Sequence, residues 1–362
     1  MRLSPLAAGL VLSGVRWAAA APAEKRTGKI APKVFIVSMV GDHTGPPRPN
    51  LADKGQFTPE ANIWYKRMPT SGLGDLLAVN ISTPGLSMLF PHIHCVADHS
   101  VCQVTTGESE INAAATITSV VLSDKFDFAS TYFMVGGIAG VNPKLGTLGS
   151  VALAKYAVQV ALQYEFDARE IPDNFTTGYL GYGTFFPTQY PVITYGTEVF
   201  EVNEALRDAV YAFAVKANLS DNDIAKEYRA KYSPQGEAYI AATEPPSVIK
   251  CDSATSDVYY SGTLLSEAFE NTTRIWTNGT GKYCMTAQED NATLEVMVRM
   301  AIEGLVDFSR MIIMRTGTHL AYPAAIAEVI TMHRLRLRST TSRRHGLREP
   351  AVGGSERLRH CH

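Results

Sequence analysis

The sequence predicts an α/β fold, because apolar strand-like runs, glycine turns and segments of helical spacing succeed one another along the chain. At 362 residues, 46% apolar and 19% charged, it is long enough for one large or two medium domains and too apolar for a disordered chain. The first strand spans 33–39, and its unbroken apolar run suits a buried parallel position. A Gly/Pro-rich insert at 41–56 interrupts the turn that should lead into a helix from Pro59. Strand 101–105 follows, and Gly107 leads into an Ala-rich helix over 111–122. The next strand, 132–135, ends in a glycine turn from Gly136 to Gly140, and 150–160 returns as sheet. Residues 201–217 and 221–232 read as surface helices, the second capped by Ser220. The stretch 286–293 opens an amphipathic helix running to about residue 302, and a last strand, 310–315, ends at Thr316-Gly317.

Formal charge sums to -2, which by itself argues for neither nucleic acid nor an anionic membrane. The balance is uneven. Residues 333–362 hold eight Arg against Glu349 and Glu356, so the body before them is acidic. At the other end, Met1-Arg2 precedes an apolar run over 5–15 and then Ala18 to Ala21, the pattern of a secretory signal over 1–21. That run is too short to span a bilayer, and no later stretch approaches 18 uncharged apolar residues, so the chain is not expected to form a pore alone.

Export has two further supports. Six N-x-[ST] sequons occur, at Asn80, Asn174, Asn218, Asn271, Asn278 and Asn291. Of five cysteines, Cys95 with Cys102 closes a loop of hairpin size, and Cys251 with Cys284 makes a plausible second bridge, leaving Cys361 odd. His92 and His94 lie beside Cys95, but no second cluster has zinc-site spacing, so a structural role is expected and no metal.

Chemistry in such a sheet belongs at the strand carboxyl ends, where backbone N–H groups converge. Three places qualify. The turn from Thr105 to Glu110 precedes a helix, which favours an anion or a hydroxyl-rich group at its N-terminus. The run from Gly136 to Gly140 is denser in glycine than a turn requires and implies close approach to a ligand or another strand. The stretch Thr286 to Thr293, with Glu289, Asp290 and Asn291, starts a helix rich in hydrogen-bonding groups, although acidic residues there also simply complement the helix dipole.

Several stretches carry a family resemblance: Glu110 to Thr116, Gly137 to Gly140, YAVQVALQYEFDAREIP at 156–172, YGTEVFEVN at 195–203, CDSATSDVYYSG at 251–262 and TNGTGKYCMTAQEDNATLE at 277–295. On these the chain, from about residue 30 to 316, resembles the fungal purine nucleoside permease family, whose members share the nucleoside phosphorylase fold. The resemblance implies one domain over 30–320 with three layers, a central mixed sheet flanked by helices, and a C-terminal covering region missing. It also implies an extracellular, cell-wall or peripheral plasma-membrane protein that binds purine nucleosides and serves their uptake, with a membrane transporter or complex as partner and a homo-oligomeric state common to the fold. No cofactor is expected; phosphate enters as co-substrate only if the chain is an enzyme that cleaves the N-glycosidic bond.

A more distant similarity to bacterial nucleosidases that cleave methylthioadenosine suggests residue roles. Gly107, Glu110 and Asn112 fall in the loop that receives phosphate or lies beside the attacking water. Gly137, Ala139 and Gly140 line the floor of the base and ribose pocket, and Glu289 shares that crevice. Asn291 stands where those enzymes place a Glu that binds ribose hydroxyls, Asp290 where they place a Met that packs on the sugar, and Glu60 aligns with the carboxylate that activates water. Exchanging Glu for Asn at the sugar keeps hydrogen bonding but removes the charge that stabilises an oxocarbenium-like transition state, so binding survives better than catalysis. The family's Gly-Met-Gly-Glu reads Gly107-Glu108-Ser109-Glu110 here, adding a negative charge that repels phosphate. Its Ser-Asp, with Asp as general acid, is replaced by Thr318-His319, which leaves His319 as the only candidate proton donor there. The 41–56 insert and the Arg-rich tail, expected to be disordered, are what a retained intron and a shifted reading frame would produce; a genuine basic tail binding an acidic surface is the rival reading.

Overall fold

The computed structural model describes residues 28–39 and 59–320. The expected leader, the 41–56 insert and the Arg-rich tail lie outside these residues.

The first strand, β1 (Val34–Ser38), is apolar on both faces and is followed by α1 (Pro59–Ser71). Three short strands come next, β2 (Val79–Ile81), β3 (Ile93–Cys95) and β4 (Val101–Thr105), then α2 (Glu110–Val121) and the long β5 (Tyr132–Val141). Strands β6 (Val151–Ala154) and β7 (Tyr156–Gln159) precede a small hairpin, β8 (Tyr164–Glu165) with β9 (Tyr179–Leu180). After β10 (Val199–Glu201) come α3 (Glu204–Ala214), α4 (Asp223–Ala230), α5 (Ile240–Thr243), β11 (Val248–Lys250) and β12 (Asp252–Thr255). The described chain closes with α6 (Thr263–Trp276), β13 (Tyr283–Ala287), α7 (Asp290–Ile302) and β14 (Met311–Leu320).

Twelve strands form one mixed sheet in the order β10-β7-β12-β13-β5-β1-β4-β3-β2, with β14 paired to β5 and β6, and β11 to β6. Strand β1 lies parallel to both β4 and β5, and β5 is long enough to pair β14 in parallel along its whole length and touch β13 at its end. The alternation of side chains along β1 sorts the helices into layers. Phe35 and Val37 face Ile117 and Val120 of α2 and Leu294 and Met297 of α7, whereas Ile36 faces Ala61, Tyr65 and Met68 of α1. Helices thus cover both faces of the central strands.

Several local expectations change. The glycine run from Gly136 to Gly140 is not a turn but the second half of β5. It stays extended because β14 pairs with it on one side, and absent side chains leave room for what crosses it. The 150–160 segment breaks into two strands with different partners. Glu201 belongs to β10, and the next helix starts after Asn203, whose side chain accepts from Leu206 N. The cap of α4 is Asn222, which accepts from Ala225 N, and not Ser220. Thr286 and Ala287 are the last residues of β13, so α7 begins only at Asp290, and the last strand continues five residues past Arg315.

Cys95 joins Cys102 and Cys251 joins Cys284. The first pair lies in register across β3 and β4, and the second ties the entry of β12 to β13. Both closures suit an oxidising compartment. His94 stands 2.7 Å from Asn80 through Nδ1, and burial, with help from the charge of His92, pulls its pKa down to about 4. It is a neutral, structural histidine at ordinary pH. Among the described residues no group of three His, Cys, Asp or Glu is placed to hold a metal ion, and no helix is long and apolar enough to cross a membrane.

Candidate functional site

The carboxyl ends of β5, β12 and β13 open on a crevice of about 110 Å³. Its floor is the exposed backbone of Ile138, Ala139 and Gly140, where Gly140 N donates to Thr286 Oγ1 at 2.8 Å. Ser256, Val258, Tyr259 and Tyr260, after β12, form one wall; Glu289 and Arg315 close the inner end, and Glu108 stands at the mouth.

Arg315 is the centre of this site. It projects from β14 and is only 3% exposed. Its guanidinium donates from Nη2 to Asp290 Oδ1 and to Glu289 Oε2 (3.4 Å), from Nε to Asp290 Oδ2 (3.4 Å), and from Nη1 to the Ile138 carbonyl (3.2 Å). Burial alone would lower its pKa, but the Asp290 and Glu289 carboxylates outweigh this and hold it firmly cationic. Glu289 titrates above its ordinary value because burial outweighs the opposing pull of Arg315 and of the Ser109 N–H. Glu60, in the first turn of α1, accepts from Met39 N at 2.9 Å through Oε2 and from Ile138 N at 2.6 Å through Oε1. Gly137 permits this crossing: a Cβ there would lie 2.5 Å from Arg315 Nη1 and 3.0 Å from Glu60 Oε1.

A second groove, about 500 Å³, runs between α2, α7, the end of β7 at Gln159 and the segment before β10 that holds Thr197. Glu110 and Asn291 line it. Asn291 is 3% exposed; its Oδ1 accepts from Thr255 Oγ1 at 2.6 Å and its Nδ2 donates to the Thr197 carbonyl at 2.8 Å. Glu110 accepts from Gln159 Nε2, and burial, then the charges of Asp257 and Glu289, push its pKa up to about 7.

The anticipated residues therefore separate into three groups. Glu60, Gly137, Ala139, Gly140, Glu289 and Asp290 gather around Arg315 and the crevice floor. Asp290 is fully buried against the guanidinium rather than presented to the crevice. Glu110 and Asn291 belong to the neighbouring groove. Gly107, at φ +88°, turns the chain into α2, and Asn112 is exposed on that helix, donating to the Glu108 carbonyl at 2.6 Å. The backbone of His319 pairs with Gly140, and its side chain lies outside the described atoms. Sequence reasoning missed Arg315, Asp257 and Gln159. Only Arg315 carried a signal, as a lone charge in an apolar strand.

Glu110 gives a pH prediction. The native residue holds its proton to about pH 7, whereas an unfolded Glu releases it near 4.5, so the native state binds the extra proton between those values. Stability therefore falls as pH rises through that window, by about 1–2 kcal/mol after solvent screening. Glu110→Gln should flatten this part of the stability profile measured by urea unfolding; an unchanged slope would contradict the assignment.

The profile of the purine nucleoside permease family matches residues 31–342. A purine nucleoside permease of Candida albicans is 44% identical over 296 residues, 81% of this chain and 66% of the relative. The chain belongs to the purine nucleoside permease family. A probable purine nucleoside permease of Schizosaccharomyces pombe is 38% identical over 295 residues, 79% of this chain and 77% of that protein. The family member described here thus spans just under two thirds of the Candida relative's length. Among solved structures, a futalosine hydrolase mutant of Helicobacter pylori is 13% identical, covering 86% of this chain and 99% of that one at TM-score 0.42. A methylthioadenosine/S-adenosylhomocysteine nucleosidase of Campylobacter jejuni is 11% identical, with 86% and 96% coverage and TM-score 0.44. Both are too distant to carry an argument about the site.

Proposed function

We propose that this permease-family chain binds purine nucleosides outside the cytoplasm and serves their transmembrane transport as a ligand-binding component, presenting them to a membrane transporter or complex. The observation that carries this reading is the crevice over Ile138 to Gly140, walled by Tyr259 and Tyr260 and closed by Glu289. Aromatic faces suit a base, and a carboxylate accepts from sugar hydroxyls. The two disulfides support an exported location, whether extracellular, in the cell wall or at the plasma-membrane surface. Glycosylation on the remaining five sequons is part of this reading; Asn291, buried and doubly bonded, is not an acceptor in the folded protein.

A second reading, cleavage of the N-glycosidic bond by hydrolysis or phosphorolysis, is favoured by one feature, the buried Glu60 beside Arg315. Against it, both Glu60 oxygens already accept backbone N–H bonds, which leaves the carboxylate poorly disposed to take a proton from water. Incubating the protein with adenosine or inosine, with and without phosphate, separates the two. Saturable binding with Kd on the order of micromolar and no free base is expected. Release of free base would replace the binding reading with the enzymatic one.

A further inference from the structure

The amino end of α2 is where a chain of this architecture would ordinarily receive an anion, because its first N–H groups have no partner within the helix. Here two of them, those of Ser109 and Glu110, are occupied from within the chain. Glu110 N donates to Asp257 Oδ1 at 3.0 Å and Ser109 Oγ donates to Asp257 Oδ2 at 2.7 Å. Ser109 N donates to Glu289 Oε1 at 3.0 Å, and Glu289 is itself held from the other side by Arg315. Ser109 sits at φ +84°, a region that a non-glycine residue keeps only when its surroundings fix it. Arg315, the cation bonded to Glu289, is already shared with Asp290. An incoming phosphate would meet Glu108, Asp257 and Glu289 and find these donors taken.

We infer that Asp257 is a specificity-determining residue: together with Glu289 it fills the anion-binding end of α2 and confines the crevice to unphosphorylated nucleosides, excluding inorganic phosphate and nucleotides. The inference rests on the nucleoside reading for its ligand class but not for its measurement. Asp257 comes from the segment after β12 and Glu289 from the end of the turn into α7, so the two carboxylates also lash the crevice walls to the α2 turn.

The test is thermal unfolding of the intact protein in rising potassium phosphate, at ionic strength held constant with potassium chloride. Wild type should move by less than about 0.5 °C, whereas Asp257→Ala, which frees Glu110 N and removes a charge, should gain about 2 °C at saturation. Should Asp257→Ala fail to fold, Asp257→Asn, which keeps an acceptor but loses the charge, is read by the same criterion. A wild-type gain equal to the variant's, or a folded variant blind to phosphate, overturns the inference. Because this readout contains no nucleoside, a protein that fails to bind adenosine would refute the binding reading while leaving the phosphate result interpretable. In proteins that do bind adenosine, wild type should prefer it to adenosine 5′-monophosphate by about 100-fold, and the alanine variant should narrow that gap about tenfold; an unchanged gap counts against Asp257.

Discussion

Arg315→Met is expected to cost about 3–5 kcal/mol of folding stability at neutral pH, the size of effect seen when one partner of a buried ion pair is removed. Glu289 and Asp290, 3% and 0% exposed, would be left buried side by side with no cation between them. Backbone donors replace only part of what is lost, since Ser109 N serves one Glu289 oxygen. Urea unfolding at pH 7 measures the loss. The same comparison near pH 4 should show it reduced by at least half, because burial already raises the Glu289 pKa and protonation removes the stranded charge. Arg315→Lys should fall between, since an ammonium cannot reach the two carboxylates and the Ile138 carbonyl together. A loss below about 1 kcal/mol for the methionine variant would mean that the cluster is hydrated and not the closed site described above.

Asn291→Leu is expected to lower nucleoside affinity about 100-fold and to cost about 2 kcal/mol of stability. The stability loss follows from leaving Thr255 Oγ1 and the Thr197 carbonyl without their partner. The affinity loss follows from position: Asn291 fastens α7 to the end of β12 and to the 197 segment, next in sequence to the Asp290 and Glu289 carboxylates that Arg315 holds. Thr255→Val separates the two effects, because it removes the same hydrogen bond at a residue that does not line the groove. It should cost stability comparably and affinity less than about tenfold. Titration calorimetry with adenosine on both variants checks this. Retained affinity in Asn291→Leu would remove Asn291 from the binding site.

Much of the architecture was legible because it is local. Apolar runs over β1 and β4, helical spacing over α2 and α7, and the Cys95–Cys102 pair all depend on neighbours within a few turns or one hairpin. The errors fall where a distant partner overrides local tendency. Glycines 136, 137 and 140 read as a turn, yet they are strand, because β14 pairs along them and Arg315 occupies the space a Cβ at Gly137 would need. Ser220 looked like a helix cap, but Asn222 lies nearer the first turn and takes the role. At the candidate site, the acidic start of α7 stood out in the sequence without saying what each carboxylate faces. Asp290 turns out to be consumed by Arg315, and Glu289 is divided between Arg315 and the α2 turn.

By itself, then, the sequence determined the α/β class, the cysteine pairing and the membership in the purine nucleoside permease family, and it singled out the three stretches that line the candidate site. Tertiary structure alone decided how those stretches meet. Ser109 and Glu289 are 180 residues apart, and Glu110 and Asp257 are 147 apart. Hydrogen bonds over such separations leave no periodic trace in the chain, because they depend on the strand order that brings β12, β13 and β14 to the same end of the sheet. Local spacing selects helix or strand, but which charges share a buried guanidinium, and whether a helix terminus is open to an anion or already filled, is settled only when the sheet closes.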